Sequence, residues 1–358
     1  MRFDVKHTED SPLLCSMRPV HIFSQIFKVK LALGVLLFLG QPSSAQSFWD
    51  VGTTLSTAHY LGDIGNGPST RRGFILDLQL PETRTSQGFF VRRRIGASGW
   101  SLRADLNHIT ISGDDALTDN PERLARNLHF RNRMTELGLR GEFVLHHIPD
   151  LLGRGYYTPS LTIAGHVGAA VLWHNPEARV VRGNRLYEEL VENELTTPDT
   201  WHALAPLQTE GVAYQTTVAV IPVGGSATMT ISQRRNQPTW RLGLEVCWRF
   251  TFTDYLDDVH HTYGDPEHMT LLGAALSSQV DPVLLTILEN DGGGIGSHSY
   301  VDPDLNGGMA VIRGNPQNND GYGTISISVA RVLTGSSNYS RSIRRSKLRR
   351  KTSRRARF

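Results

Sequence analysis

The chain has 358 residues, of which 39% are hydrophobic and 20% charged, with a formal net charge of +3 at pH 7. A mean hydropathy of −0.27 excludes a helical membrane bundle but not a barrel, whose interior and loops are polar. Two cysteines, Cys15 and Cys247, exclude a disulfide framework if Cys15 leaves with the leader.

The first 45 residues read as that leader. Lys28 and Lys30 precede the apolar run LALGVLLFL at residues 31–39, and Gly40, Pro42 and Ser43-Ser44-Ala45 follow before Gln46. A basic start, a short apolar core and a small-residue cleavage site describe a secretory signal peptide. The run is too short to cross a bilayer as a helix. The stretch ahead of it is long and carries Asp4, Glu9 and Asp10, so Met17 is an alternative start. The mature, exported chain is expected to begin near Gln46, with one domain over residues 46–335 and a tail over 336–358.

Strand-like alternation, with side chains pointing to opposite faces in turn, then recurs along the chain. It is found at Phe48–Tyr60, Phe89–Ile95, Trp100–Ser112, Met134–His147, Thr158–Trp173, Gln215–Ile231 and Tyr322–Leu333, with a short candidate at Phe74–Leu80. Pro222, Gly224 and Gly225 suggest a bulge or kink. Asn184–Leu195 suggests a helical turn or two inside a long connection.

The clearest alternating stretch is Trp240–Thr253. Trp240, Leu242, Leu244, Val246, Trp248, Phe250 and Phe252 share one face, and Arg241, Gly243, Glu245, Cys247, Arg249, Thr251 and Thr253 the other. Roughly fourteen residues is long for a soluble strand and slightly more than a tilted membrane strand needs. Aromatics at both ends of the apolar face match the girdles of a membrane barrel. A soluble sandwich strand alternates too, and the connections decide between the two. The first, third, fifth and seventh are long and the second, fourth and sixth short, as in outer-membrane barrels with extracellular loops and periplasmic turns. The expected fold is therefore all-β: a closed eight-stranded transmembrane barrel of outer-membrane type, with long extracellular loops and both termini periplasmic. Eight strands enclose an interior filled by side chains. Arg92, Arg93 and Arg94 cannot all face inward, which places them near the periplasmic end.

The segments YLGDIGNG (Tyr60–Gly67), ARNLHFRNRMTELGLRGEF (Ala125–Phe143), YTPSLTIAGHVGA (Tyr157–Ala169), FTDYLDDVHHTYGDP (Phe252–Pro266) and NPQNNDGYG (Asn315–Gly323) resemble the PorG-type outer-membrane barrels of Bacteroidota, a family of the type IX secretion system. The resemblance runs to about Leu333, and FTDYLDDV is its most specific piece. It implies a structural and assembly role in protein export, linking the outer membrane to periplasmic ring subunits of PorK and PorN type, with no known catalytic residues; no cofactor is expected. Asp254, Tyr255, Leu256, Asp257, Asp258, Asn318, Asn319 and Asp320 are then candidate interaction residues. The long leader and the basic extension after Tyr339 depart from the family pattern.

Several residue clusters carry the types that other chemistry needs. Asp254, Asp257, Asp258, His260, His261, Asp265, Glu267 and His268 have metal-ligand types without HExxH or EF-hand spacing, and a solvated loop with turn-capping aspartates is the simpler expectation. The run Gly292-Gly293-Gly294-Ile295-Gly296 lacks the Lys-Ser/Thr of a phosphate loop. Ser297, His298, His166, Ser160 and Asp105 supply the types for a lipid-modifying enzyme, but no G-x-S-x-G elbow is present. A plain envelope barrel with adhesive loops is a further alternative. The tail from Ser340 to Phe358, which includes Arg344, Arg345, Lys347, Arg349, Arg350 and Lys351, holds ten Lys and Arg and no acid. Such a run self-repels and is expected to be disordered when free. An exported protein seldom meets nucleic acid, so the expected partners are membrane lipids and acidic faces of a periplasmic subunit.

Overall fold

Eight long strands alternate up and down: β1 (Phe48–Leu61), β2 (Arg84–Ile95), β3 (Trp100–Asp114), β4 (His129–Ile148), β5 (Thr158–Trp173), β8 (Thr217–Gln233), β9 (Gln237–Thr251) and β10 (Gly321–Thr334). Two short strands, β6 (Pro176–Ala178) and β7 (His202–Ala203), lie within the long connection after β5. This computed structural model describes residues 48–65, 82–95, 99–118, 120–151, 158–233, 237–290 and 311–334. The leader, the candidate strand at 74–80, residues 96–98, the glycine run 292–296 with Ser297 and His298, and the basic tail lie outside them.

Every long strand pairs antiparallel with its neighbours, β3 with both β2 and β4, and β1 with β10. The sheet therefore closes into an eight-stranded barrel with no free edge. The Phe48↔Thr334 pairing puts the beginning of β1 beside the end of β10, at the end of the short connections. The four long connections gather at the other end, as the alternation of loop lengths implied.

Burial follows the period of two. Outward positions are exposed and apolar: Leu55 (65%), Leu244 (53%), Val246 (57%) and Ile327 (62%) among many. A continuous apolar wall of this extent would be a liability in water and matches the hydrocarbon band of a membrane barrel. Trp49, Trp100 and Trp240 mark it at the short-turn end, and Trp173, Phe250 and Phe252 toward the long loops. Arg93 lies outward at the short-turn end with its guanidinium 5.2 Å from the Trp49 ring centroid, while Arg92 is buried, as neighbours on a strand must differ.

Two strands depart most from their apolar pattern, each starting five residues early. β4 begins at His129 rather than Met134, and β2 at Arg84 rather than Phe89. Above the lipid band the outer face meets water, so Arg131, Arg133, Thr85 and Gln87 occupy outward positions and the apolar signal fades while the ladder continues. Pro222 and the glycines after it do not shift the register. The ladder between β5 and β8 skips the pairs opposite Ile221 and Pro222, where Pro lacks an N–H, and resumes in register. The irregularities lie instead at Val144/His146 and Ile231/Ser232. The first turns His146 out of the interior face on which alternation placed it.

Short helices punctuate the loops: α1 (Pro121–Arg126), α2 (Tyr187–Glu192), α3 (Leu271–Ser277) and α4 (Pro282–Asn290). Asn120 accepts from the Glu122 N–H and Pro121 fixes the first turn of α1. α2 falls where the sequence suggested. Tyr187 and Leu190 from α2, Ala275 and Leu276 from α3, and Ala178, Val180 and Leu204 form a second buried cluster outside the barrel. The third and fourth long loops thus have a core of their own.

Candidate functional site

Inward side chains fill the barrel in two layers. The lower, from the short-turn end through the middle, is ionic. Five arginines (Arg92, Arg103, Arg140, Arg241, Arg249) and five carboxylates (Asp50, Asp105, Glu136, Glu142, Glu245) are buried on the strands and balance one another, while the half-buried Arg94 adds a further cation beside Arg241 at the short-turn end. Arg140 is the hub. Its Nε and Nη2 donate to Asp105 at 2.9 and 2.8 Å and its Nη1 to Glu245 at 2.5 Å. Arg103 donates from Nε to Asp105 at 2.7 Å and from Nη1 to Glu245 at 2.6 Å, with its guanidinium 4.0 Å from the Phe90 ring centroid. Arg249, Asn107 and Tyr322 all donate to Glu136, at 2.5, 2.8 and 3.0 Å. Burying a charge is tolerable only when it is paired and hydrogen-bonded, and here each carboxylate meets at least one guanidinium. Gly224 leaves room for His166: a Cβ there would stand 2.7 Å from His166 Nε2.

The upper layer is apolar. Ala58, Ile109, Ile111, Phe130, Met134, Ala170, Leu172 and Val220 point inward near the long-loop end, and Leu256 and Val259 drop onto them from the fourth long loop. Both loop residues are 0% exposed, and burying a side chain of this kind contributes roughly 1.5–3 kcal/mol. The FTDYLDDV segment is therefore the stopper of the barrel mouth.

Its aspartates hold it there. The Tyr60 hydroxyl lies 2.7 Å from one oxygen of Asp257 and 2.7 Å from one of Asp320. A phenol has one hydrogen to donate, so one of these contacts needs a protonated carboxyl as its donor. Burial raises Asp257 to about 7, with Asp63 adding to the rise. It lifts Asp320 well above the usual carboxylate range, with Asp257 next in effect. Asp254, 2.7 Å from His260 Nδ1, is pushed up to about 9, first by burial and then by Asp257. Asp258 takes a left-handed φ of 71°, which Asp tolerates better than most residues. Its carboxylate accepts from Thr209 and, at 2.6 Å, from Tyr214. Arg313 donates to the Asp258 carbonyl at 2.5 Å and to Glu210 at 3.1 Å, and the Arg313 carbonyl accepts from Arg126 at 2.7 Å. Arg126 also forks onto Asp115 at 2.7 and 3.0 Å. All four long loops meet at this one segment.

These positions change the reading of the motif. Asp254, Leu256, Asp257, Asp258 and Asp320 are buried and face one another rather than an incoming surface. Tyr255 is half-buried, and only Asn318 and Asn319 of that set are exposed. Asp254, Asp257 and Asp258 are buried rather than solvated; turn-capping itself is present at Asp257, which accepts from the Val259 N–H at 2.9 Å, and at Asp265, which accepts from the Glu267 N–H at 2.9 Å on the surface. The buried aspartates are closing bonds of a cap. Tyr60, Asp63, Glu210 and Arg313 were not singled out by sequence reasoning. Tyr60 opens the YLGDIGNG segment, but nothing local says that it meets residues about two hundred positions away.

Of the residue types suited to lipid chemistry, Ser160 and His166 share the inner face of β5 six residues apart, roughly 20 Å at 3.3 Å per residue. Asp105 is committed to Arg103 and Arg140. The donor atoms of His166, Glu245 and Cys247 lie within 4.8 Å of one another, yet Glu245 already binds two guanidiniums and Arg140 stands 3.8 Å from Cys247 Sγ. A cation there would face two arginines, and the donor set does not fit one.

No family model matches the chain, and no curated protein matches it. Solved structures similar to it include Ail, the attachment invasion locus protein of Yersinia pestis, in complex with the heparin analogue sucrose octasulfate. That match has 5% identity and a TM-score of 0.28, and covers 80% of this chain and 99% of that one. Another is Neisserial surface protein A, at 7% identity and a TM-score of 0.28, covering 79% of this chain and 96% of that one. At these values the likeness adds nothing to what the strand pairing shows.

Proposed function

We propose that the protein is an outer-membrane barrel that serves a protein-export machine as a structural component, with both termini in the periplasm and no catalytic step of its own. The observation that carries the structural reading is the filled lumen: a paired ionic layer below and an apolar stopper above leave the barrel a solid post, suited to anchoring and not to conduction. The export assignment, to type IX secretion, is supported by the resemblance of Phe252–Pro266 and the companion segments. Since most of that motif works inside the cap, the face for ring subunits of PorK and PorN type is sought at the short-turn end and along the basic tail, whose charge suits an acidic periplasmic surface.

Deleting the protein should trap secreted cargo in the periplasm, and truncation after Tyr339 should weaken co-purification of the ring subunits, more so as salt rises. Normal cargo export in the deletion strain would reject the export role. The ordered core of the third and fourth loops favours the second reading, a plain envelope barrel that presents its loops outside. Under that reading export is unaffected and loop replacement abolishes surface attachment.

A further inference from the structure

The outer wall carries a cationic spot that neither the lumen nor the cap uses. Descending the outward face of β4 from the long-loop end, the residues are Arg131, Arg133, Thr135, Leu137 and Leu139, the last two exposed and apolar. Arg131 and Arg133 therefore stand directly above the lipid band. Beside Thr135 on the flanking strands are His108 and Trp173, an aromatic and a polar group at interface height.

Trp201, from the third long loop, organises the spot. The Arg131 guanidinium lies 4.0 Å from its ring centroid and that of Arg179 5.6 Å, while His129 meets the ring edge-on at 5.8 Å. Glu177 pairs with Arg131 at 2.6 Å and Glu82 with Arg84 at 2.8 Å. Asp114 faces the same corner and accepts from the Ala116 N–H. Arg133 and Arg179, both exposed, make no close ion pair among the described residues, although Asp114 lies near enough to Arg179 to feel its charge. Arginine in this setting is a phosphate fork stiffened by ring stacking.

We infer that Arg133 and Arg179, braced by Arg131 and Trp201, bind the phosphorylated glucosamine headgroup of lipid A in the outer leaflet. The inference rests on the outer-membrane reading above. At this height on the barrel wall the acyl chains run down the exposed Leu137–Leu139 face. The opposite rim has arginines too, but Arg93 and Arg331 sit over Trp49 and Trp240 at the short-turn end and serve as the control.

The purified full chain, folded in detergent, is incubated with bis-phosphorylated lipid A, and retention is read by native mass spectrometry. The R133Q/R179Q pair should lose about thirtyfold in apparent affinity, at roughly fivefold per arginine beside an anionic lipid. The R93Q/R331Q pair and dephosphorylated lipid A separate the site from the lipid chemistry: the first should bind as the parent does and the second should not be retained. Heat-modifiable gel mobility confirms that each variant is folded, and R133K/R179K, which keeps charge and loses the fork, should fall in between. Equal retention by R133Q/R179Q, equal retention of the dephosphorylated lipid, or full displacement by inorganic phosphate at matched ionic strength would overturn the inference. Cell fractionation decides the outer-membrane reading separately, whatever the lipid result.

Discussion

Two layers of one lumen are closed by opposite means. The lower layer satisfies ten buried charges with one another on five of the eight strands, whereas the upper one seals itself with aliphatic side chains and carboxyls that give up charge. The lower layer is tied to the barrel ladder and opens only when the barrel unfolds. The upper one depends on a loop, Asp254–Val259, and can open while the strands stay paired. The difference teaches where stability and adjustability lie in this molecule.

The sharpest way to break the contrast is at the hub of the ionic layer. Arg140→Leu leaves Asp105 and Glu245 short of a partner and should cost about 3–5 kcal/mol, as removal of one member of a buried ion pair does. The loss should appear as a lower urea midpoint for the whole barrel in lipid. Leu256→Ala should cost about 2–5 kcal/mol as a cavity, but locally. Amide exchange across residues 254–259 should quicken while the global midpoint barely moves. Equal global loss from both variants would erase the distinction between the layers.

A smaller change tests the wall around both. Leu244→Arg points a charge at the bilayer and should cost roughly 2–4 kcal/mol near the midplane, falling to about 0–1 at an interface. A folding assay in vesicles reads the difference between Leu244→Arg and an Arg at Leu333, which lies toward the rim.

The smallest effect is one of pH and belongs to the cap. Asp257, near 7 when folded, keeps its proton over a range in which the unfolded chain has lost it. Folded-state proton binding then exceeds that of the unfolded state from about pH 4 up to about 7, so cap stability falls as pH rises through that window, and Asp254 extends the fall toward about 9. After correction for intrinsic rates, the 254–259 amides should be better protected at pH 5 than at pH 8, and Asp257→Asn should flatten the dependence. Better protection at pH 8 would mean that these carboxyls are charged in the folded cap.

Much of the barrel was legible because a membrane wall writes itself into sequence: Trp240–Phe252 shows its lipid face, its lumen face and its length in a single strand. The extensions at His129–Arg133 and Arg84–Gly88 were not, since an outer face above the lipid carries no apolar signature. The polar residues of the lumen were visible one by one on alternating positions, but the partner of Arg140 on β9 depends on register across the barrel. The cap was the least legible part. Asp257 and Asp320 look like surface acids, and only the fold brings Tyr60 between them.

The central claim is a closed membrane barrel with no water path through it, and single-site spin labels along β9 in a Cys247→Ser background test it most directly. In vesicles, labels at Leu242, Leu244 and Val246 should be accessible to oxygen and shielded from a water-soluble nickel complex, while labels at Gly243 and Glu245 should be shielded from both. Nickel access at 243 and 245 would mean an open lumen, and nickel access at 242, 244 and 246 would mean that this wall faces water.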